Sequence, residues 1–456
     1  MVETVVISGG LYFPPGTVVG RILADTLKKT NPEWIQANRM RETKPWIPLP
    51  ERHVRACHAF ERGHPWAGGI AAPRSAQVDQ SGIRFIDKRT FPPAESLSLS
   101  PDTVLRDYQA SAVAKLVEAE QGLVVAPCGA GKTTIGIGAM AALDTKALVL
   151  VHTRDLAVQW IDRCKSQLGV EATLVGAGKS DDSGRVVVAT FQTIEKMDWD
   201  KRFAWAKSFG LVIVDEAHHV PAATFNRVLL SMPARYRLGL TATPKRNDGL
   251  TDFLYWHFGV VLESIETNDL AKKGHVVTPR VEWMNTNWEG PSKKLEWPLF
   301  INRMTKDSDR NFQILQRVEK AVNDGRQILV LSDRVQHCEE MADALRQRGI
   351  KAQALVGKLT KKARAAIIES TQSGETRVLT ATTIADEGLD LPTLDTVVLC
   401  TPTKAMGRVQ QRVGRIMRPS SDKKEPLIID VVDLPRPLRG LANKRMKLYI
   451  KLGCTW

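Results

Sequence analysis

Leu123-Val-Val-Ala-Pro-Cys-Gly-Ala-Gly-Lys-Thr-Thr134 and, further on, Leu211-Val-Ile-Val-Asp-Glu-Ala-His218 decide how this chain folds. Each begins as a short, wholly apolar run and turns polar at its C-terminal end. Runs of four or five apolar residues without alternation read as strands buried on both faces, as in a parallel sheet. After the first run come Gly129, Gly131, Lys132 and Thr133, then a helical pattern over 135–143. The glycines let the backbone turn so that N–H groups converge on an anion at the positive end of the next helix. Lys132 adds a mobile cation for the same oxygens, and Thr133 a hydroxyl for a divalent metal. Pro127, Cys128, Gly129, Ala130, Gly131, Lys132, Thr133 and Thr134 therefore read as a phosphate-binding loop, with Ala126 standing where the general pattern has its first glycine.

The second stretch supplies what a phosphate loop needs for hydrolysis. Asp215, at the end of a buried strand, is placed to hold Mg²⁺, and Glu216 beside it to orient and deprotonate the attacking water. An acidic cluster on a solvated turn would not need four apolar residues directly before it. The pair of stretches predicts a nucleotide hydrolase using ATP and Mg²⁺, with Thr133 and Asp215 as the metal ligands.

The same rhythm recurs outward from these two stretches. Apolar runs at 147–151 and 186–189 alternate with helical segments, and a second series follows near 327–331, 377–380, 396–399 and 427–429. This predicts an α/β fold with two parallel-sheet domains in tandem. A Pro/Ser-rich stretch at 91–100 marks a boundary, and ahead of it short strand-like runs surround a helical segment at 18–29. The expected division is a small α+β domain over 1–100, a first α/β domain over 101–270 and a second over 271–456.

Composition narrows the class. The 456 residues are 43% hydrophobic and 25% charged, ordinary globular values. No stretch of ~18 uncharged apolar residues occurs; the nearest, 123–143, carries Lys132. With no basic leader pattern at the N-terminus, a cytoplasmic protein is expected (nuclear if the cell is eukaryotic), with no membrane partner. Cys57, Cys128, Cys164, Cys338, Cys400 and Cys454 form no C-x-x-C pair, so reduced thiols are expected. His53, Cys57, His58 and His64 have zinc-ligand chemistry, but their spacing matches no standard finger. The net charge of +14 is uneven: +4 over 1–100, −2 over 101–270 and +12 over 271–456. Such an excess favours a polyanion, nucleic acid above all.

Followed in order, these residues resemble the superfamily 2 helicases and translocases over about three quarters of the chain. Leu105-Arg-Asp-Tyr-Gln109 looks like the family's adenine-reading motif, which implies a base contact for Gln109. The phosphate loop matches motif I, Asp215-Glu-Ala-His218 motif II and Thr241-Ala-Thr-Pro244 motif III, whose Thr241 and Thr243 would couple the nucleotide site to the strand path. Thr153-Arg154 and Thr190-Phe-Gln-Thr193 look like strand-gripping motifs, implying DNA contacts for Thr153, Arg154, Thr190 and Gln192. In the second domain, Leu331-Ser-Asp-Arg334 resembles motif IV, Thr380 to Asp390 motif V and Gln411-Arg-Val-Gly-Arg-Ile-Met-Arg418 motif VI. These imply DNA contacts for Ser332, Arg334 and Thr382, ATP contacts for Gly388, Asp390 and Gln411, and a catalytic role for Arg415 and Arg418 as arginine fingers beside Lys132, Asp215 and Glu216. The implied architecture is two RecA-like domains closing on ATP.

The extended motif III, Leu240-Thr-Ala-Thr-Pro-Lys-Arg-Asn-Asp-Gly249, looks like the DNA-directed branch that contains XPB, RadD and phage UvsW. That resemblance implies a helicase or translocase, expected to be monomeric, that remodels branched DNA such as forks, Holliday junctions and displacement loops. An RNA helicase, a restriction-system motor and a DNA-binding architectural protein with a vestigial ATPase site are the alternatives. Trp34, Trp46 and Trp66 stand among Arg39, Arg41, Lys44, Arg52, Arg55 and Arg62, where they would either stack on unpaired bases or pack a small core. The segment 288–297, with Trp288 and Trp297, reads as a wedge or as an ordinary connection. The tail after Asp433 holds Arg436, Arg439, Lys444, Arg445, Lys447 and Lys451 and no acidic residue. It is expected to lie along nucleic acid, or to pack as a helix through Leu441, Met446, Leu448 and Ile450.

Overall fold

A computed structural model of the chain describes residues 3–41, 53–59, 70–77, 83–93, 96–127, 129–176, 179–180, 182–219, 222–242, 249–291, 295–382, 391, 393–403, 406–417 and 424–456. They form two compact units, one of residues 1–126 and 131–264, the other of 265–456 together with 127–130.

The first unit is built on an eight-stranded sheet. Its strand order is Lys179–Ser180, Thr173–Gly176, Val186–Thr190, Ala147–Val151, Leu211–Asp215, Tyr236–Thr241, Gln121–Val125 and Val261–Ser264, parallel throughout except at the first pair. The strands Ala147–Val151 and Leu211–Asp215 are buried at every position, which is why they carry no polar alternation. Parallel strands joined by helices leave all their C-terminal ends on one edge, and the polar ends of both diagnostic stretches meet there.

The N-terminal α+β region has its own five-stranded sheet, ordered His58–Ala59, Ile70–Ala72, Leu11–Phe13, Glu3–Ile7 and Ile83–Asp87. It packs onto the larger sheet's domain as part of the same unit. Tyr12 donates its hydroxyl to the Leu230 carbonyl at 2.6 Å, and Arg237 donates to the Gly9 and Met232 carbonyls at 2.8 and 3.0 Å. Arg74, itself buried, donates to the Ser8 and Ala234 carbonyls. Burying guanidinium groups is costly unless their donors are used, and here backbone carbonyls of both parts use them.

The second unit is a six-stranded parallel sheet in the order Arg280–Asn285, Leu427–Val432, Thr396–Leu399, Ile328–Leu331, Val378–Ala381 and Ala352–Leu355. Its core joins Ile328, Val330, Val378, Val398 and Ile429 to Ile314, Val318 and Met341 of the covering helices. Both expected parallel-sheet domains are thus present. Trp288 is buried against Ile301, Met304 and Leu438, with Trp297 and Phe300 packed around them, so the tryptophans of the 288–297 segment are core residues of this unit. The tail forms the helix Arg436–Lys451. Its buried face is Leu438, Leu441, Ala442, Arg445 and Tyr449, whereas Met446 and Ile450, expected to pack, are exposed. Arg445 also departs from the expected nucleic-acid role. It is 2% exposed and makes a two-pronged bond to Asp430, Nε to Oδ2 at 2.7 Å and Nη2 to Oδ1 at 2.6 Å.

Candidate active site

The phosphate loop begins as the chain leaves the strand Gln121–Val125. The Ala130 N–H donates back to the Pro127 carbonyl at 3.2 Å and so closes the turn. Gly129 and Gly131 both have positive φ, 87° and 76°, which glycine adopts without strain. Gly131 is doubly required, because a Cβ there would lie 2.5 Å from Gln109 Nε2. The helix Lys132–Leu143 starts immediately afterwards, so its unbonded N-terminal N–H groups belong to the loop. Gln109 is therefore placed against the phosphate loop. It is buried, with its Oε1 accepting the Arg106 N–H at 2.9 Å.

Lys132 and the acidic pair meet at the end of the strand Leu211–Asp215. Lys132 Nζ lies 3.2 Å from Glu216 Oε1 and donates to the Ala126 carbonyl at 3.2 Å. Glu216 has φ +47°, a left-handed backbone that costs a glutamate on the order of 1 kcal/mol or more and is typical of functional turns. His218 is 3.4 Å from Glu216 Oε2 and is hydrogen-bonded through Nδ1 to Thr241 Oγ1 at 2.8 Å. The imidazole of His218 thus stands between motif III and the Glu216 carboxylate, bonded to the former. Thr241 ends the strand Tyr236–Thr241, which neighbours Leu211–Asp215 in the sheet.

Asp215 is buried, with Oδ2 accepting the Trp160 indole N–H at 2.9 Å and Oδ1 accepting the Glu216 backbone N–H at 2.9 Å. Burial first, and the Glu216 charge second, push its carboxyl up to about 6. A second carboxylate beside a buried one in a low-dielectric place is an arrangement that a divalent cation relieves. The residues fit Mg²⁺ on Asp215, with Thr133 half-buried on the first turn of the phosphate-loop helix.

Thr153 and Thr190 sit at strand ends on the same unit and cap helices. Thr153 Oγ1 accepts the Leu156 N–H, and Thr190 Oγ1 accepts the Thr193 N–H. Gln192 donates to the His152 carbonyl at 3.2 Å and so ties the two loops together, while Arg154 is exposed.

Ser332 is 2% exposed; its hydroxyl accepts the Arg334 N–H and is bonded to His337 Nδ1 at 2.9 Å. Its hydroxyl is engaged inside the domain, where it shapes the turn after the strand Ile328–Leu331. Arg334 donates to Asn302 Oδ1 and, at 3.1 Å, to the Pro298 carbonyl, and Thr382 is buried. Gln411 and Arg415 stand on the helix Met406–Ile416. Cys128, Thr243, Gly388, Asp390 and Arg418 lie outside the described residues, as do Lys44, Trp46, Arg52, Arg62, His64 and Trp66.

Residues 102–246 match the family model "Type III restriction enzyme, res subunit", and residues 311–420 match "Helicase conserved C-terminal domain". The chain belongs to the superfamily 2 helicases. It is 27% identical over 392 residues to probable helicase D10 of Escherichia phage T5, covering 84% of this chain and 83% of that protein. It is 26% identical over 382 residues to the DNA 3'-5' translocase XPB2 of Sulfurisphaera tokodaii, covering 75% and 83%. Among solved structures, a point variant of S. cerevisiae Dbp5 bound to RNA and ADP BeF3 matches with a TM-score of 0.56 at 17% identity over 76% of this chain and 88% of that one, a likeness of fold. As a superfamily 2 helicase the protein is an ATP hydrolase. Lys132, Asp215, Glu216, His218 and Thr241 lie together in the first unit. Among the described residues, no helix is long and apolar enough to cross a membrane.

Proposed function

We propose that this helicase is an ATP- and Mg²⁺-dependent DNA motor that remodels branched DNA. The observation that carries the motor reading is the convergence of Lys132, Glu216, His218 and Thr241, from three motifs, at one sheet edge. Mg²⁺ held by Asp215 and Thr133 would neutralise charge on the terminal phosphates. Lys132 binds the same phosphates, Glu216 takes the proton of the attacking water, and His218, bonded to Thr241, stands beside that carboxylate. Arg415 and Arg418 supply the guanidinium charge that stabilises the transferred phosphoryl group. Gly388, Asp390 and Gln411 complete the nucleotide contacts.

DNA is favoured over RNA by the relatives, among them a protein named as a DNA 3'-5' translocase, and by the basic excess of the C-terminal half. On the helix Arg436–Lys451, Arg436, Arg439, Lys444, Lys447 and Lys451 are exposed and fall on the side opposite the buried Leu438, Arg445 and Tyr449. This stripe suits a phosphate backbone. Thr153, Arg154, Thr190 and Gln192 hold the strand on the first unit, and the N-terminal region selects the branch.

The test is ATP turnover with no nucleic acid, single-stranded DNA, linear duplex, a four-way DNA junction and structured RNA at one fixed low salt concentration. Stimulation by the junction above that by linear DNA is the expected result, and preferential stimulation by RNA overturns it. The match of 102–246 to a restriction-enzyme model favours one second reading, the motor of a restriction assembly. It predicts equal stimulation by linear duplex and junction.

A further inference from the structure

Trp160 is 1% exposed on the helix Arg154–Leu168 and donates its indole N–H to Asp215 Oδ2 at 2.9 Å. Its ring lies on the phosphate-loop helix, where a Cβ at Gly136 would come within 2.6 Å of the ring atom Cη2. A glycine inside a helix costs about 1 kcal/mol relative to alanine, and here it makes the space the indole fills. Three parts of the first unit therefore converge on one side chain: the metal-binding carboxylate, the phosphate-loop helix and the helix that begins at Thr153 and Arg154.

We propose that Trp160 is a positioning residue that fixes the Asp215 carboxylate for Mg²⁺ and relays strand binding at Thr153–Arg154 to the metal site. The two donors on Asp215, an indole and a backbone amide, are both neutral. They set the orientation of the carboxylate while leaving its negative charge for a cation, and outer donors of this kind set metal affinity by about 10–100-fold. Trp160 lies seven residues beyond Thr153 on the same helix, about 10 Å along its axis at ~1.5 Å per residue. A displacement of the helix start by a bound strand moves the indole and, with it, the donor to Asp215. The relay rests on the reading that Thr153 and Arg154 grip DNA; the positioning of Asp215 does not.

The test uses the full chain and equilibrium binding of a fluorescent ADP analogue titrated with Mg²⁺, with and without a saturating single-stranded DNA oligonucleotide. Trp160→Phe keeps an aromatic ring and removes the N–H. It is expected to raise the half-saturating Mg²⁺ concentration about tenfold and to abolish the shift that DNA produces in the wild type. Gly136→Ala, which keeps the indole but forces it off its seat, is expected to move the Mg²⁺ midpoint in the same direction and serves if Trp160→Phe does not fold. A purely structural tryptophan would lower Tm and leave the Mg²⁺ midpoint in place. A folded variant with the wild-type midpoint overturns the proposal. If DNA leaves the wild-type midpoint unmoved while Trp160→Phe shifts it, the relay and the DNA role of Thr153–Arg154 fall, and the positioning of Asp215 stands.

Discussion

Both units bury carboxylates near the C-terminal ends of central parallel strands, and they treat them in opposite ways. In the second unit Asp430 accepts two bonds from Arg445 and one from the Tyr449 hydroxyl at 2.7 Å, and Asp433 accepts Arg310 Nε at 2.7 Å and Thr286 Oγ1 at 2.6 Å. Each is saturated by a guanidinium that is itself buried. In the first unit, among the described residues, Asp215 receives an indole N–H and a backbone N–H, and its neighbour Glu216 shares a lysine that also serves the phosphate loop. Saturated pairs hold a fold together; a buried carboxylate whose charge is left unmatched is held ready for a ligand. The same residue type at the same place in the same kind of sheet is structural in one unit and chemical in the other because of what donates to it.

The contrast can be broken by substitution, and the largest effect is expected on turnover. Glu216→Gln removes the base and should lower DNA-stimulated ATP hydrolysis by roughly 10²–10⁴-fold while nucleotide binding persists, measured by steady-state turnover and by titration with a fluorescent nucleotide. Asp430→Asn leaves the buried Arg445 guanidinium without its counter-charge. It should destabilise the protein by about 3–5 kcal/mol, read as a fall in Tm. Asp215→Asn should cost less than about 1 kcal/mol in metal-free protein, since relief of charge offsets the lost acceptor. The pH dependence sharpens this. The folded-state carboxyl of Asp215, pushed up to about 6 by burial and Glu216, holds its proton more tightly than the unfolded chain does. Its contribution to stability is present at low pH and is lost as pH rises through about 6. Wild-type Tm with EDTA should carry this component between about pH 4 and 6.5, and Asp215→Asn should lack it. The smallest effect is expected on the exposed stripe: Lys444→Ala with Lys447→Ala should weaken DNA binding modestly and reduce the log–log salt slope by up to about 2.

Much of this was legible in the sequence. Uninterrupted apolar runs announced the parallel strands, and the strand Leu211–Asp215 ends where polarity begins in the chain. Glycine spacing and Lys132 located the phosphate loop, and the adjacent acids located the chemistry. What escaped notice were partners brought together by folding. Arg445 read as one more basic group for nucleic acid because its counter-charge, Asp430, lies on a different element. Its position on the apolar stripe with Leu438, Leu441 and Tyr449 was the available signal. Ser332 sits in a family motif, yet its hydroxyl is consumed by His337 and the Arg334 N–H. Trp160 carried no local mark of function, since the reason for it is a carboxylate 55 residues away.

The measurement closest to the central claim is displacement of a third strand from linear duplex DNA by the full chain with ATP and Mg²⁺. The wild type is predicted to displace it, and Glu216→Gln, bound to the same DNA, is predicted to leave it in place. Displacement by Glu216→Gln at the wild-type rate would contradict the assignment of the Lys132–Glu216 site as the source of motion.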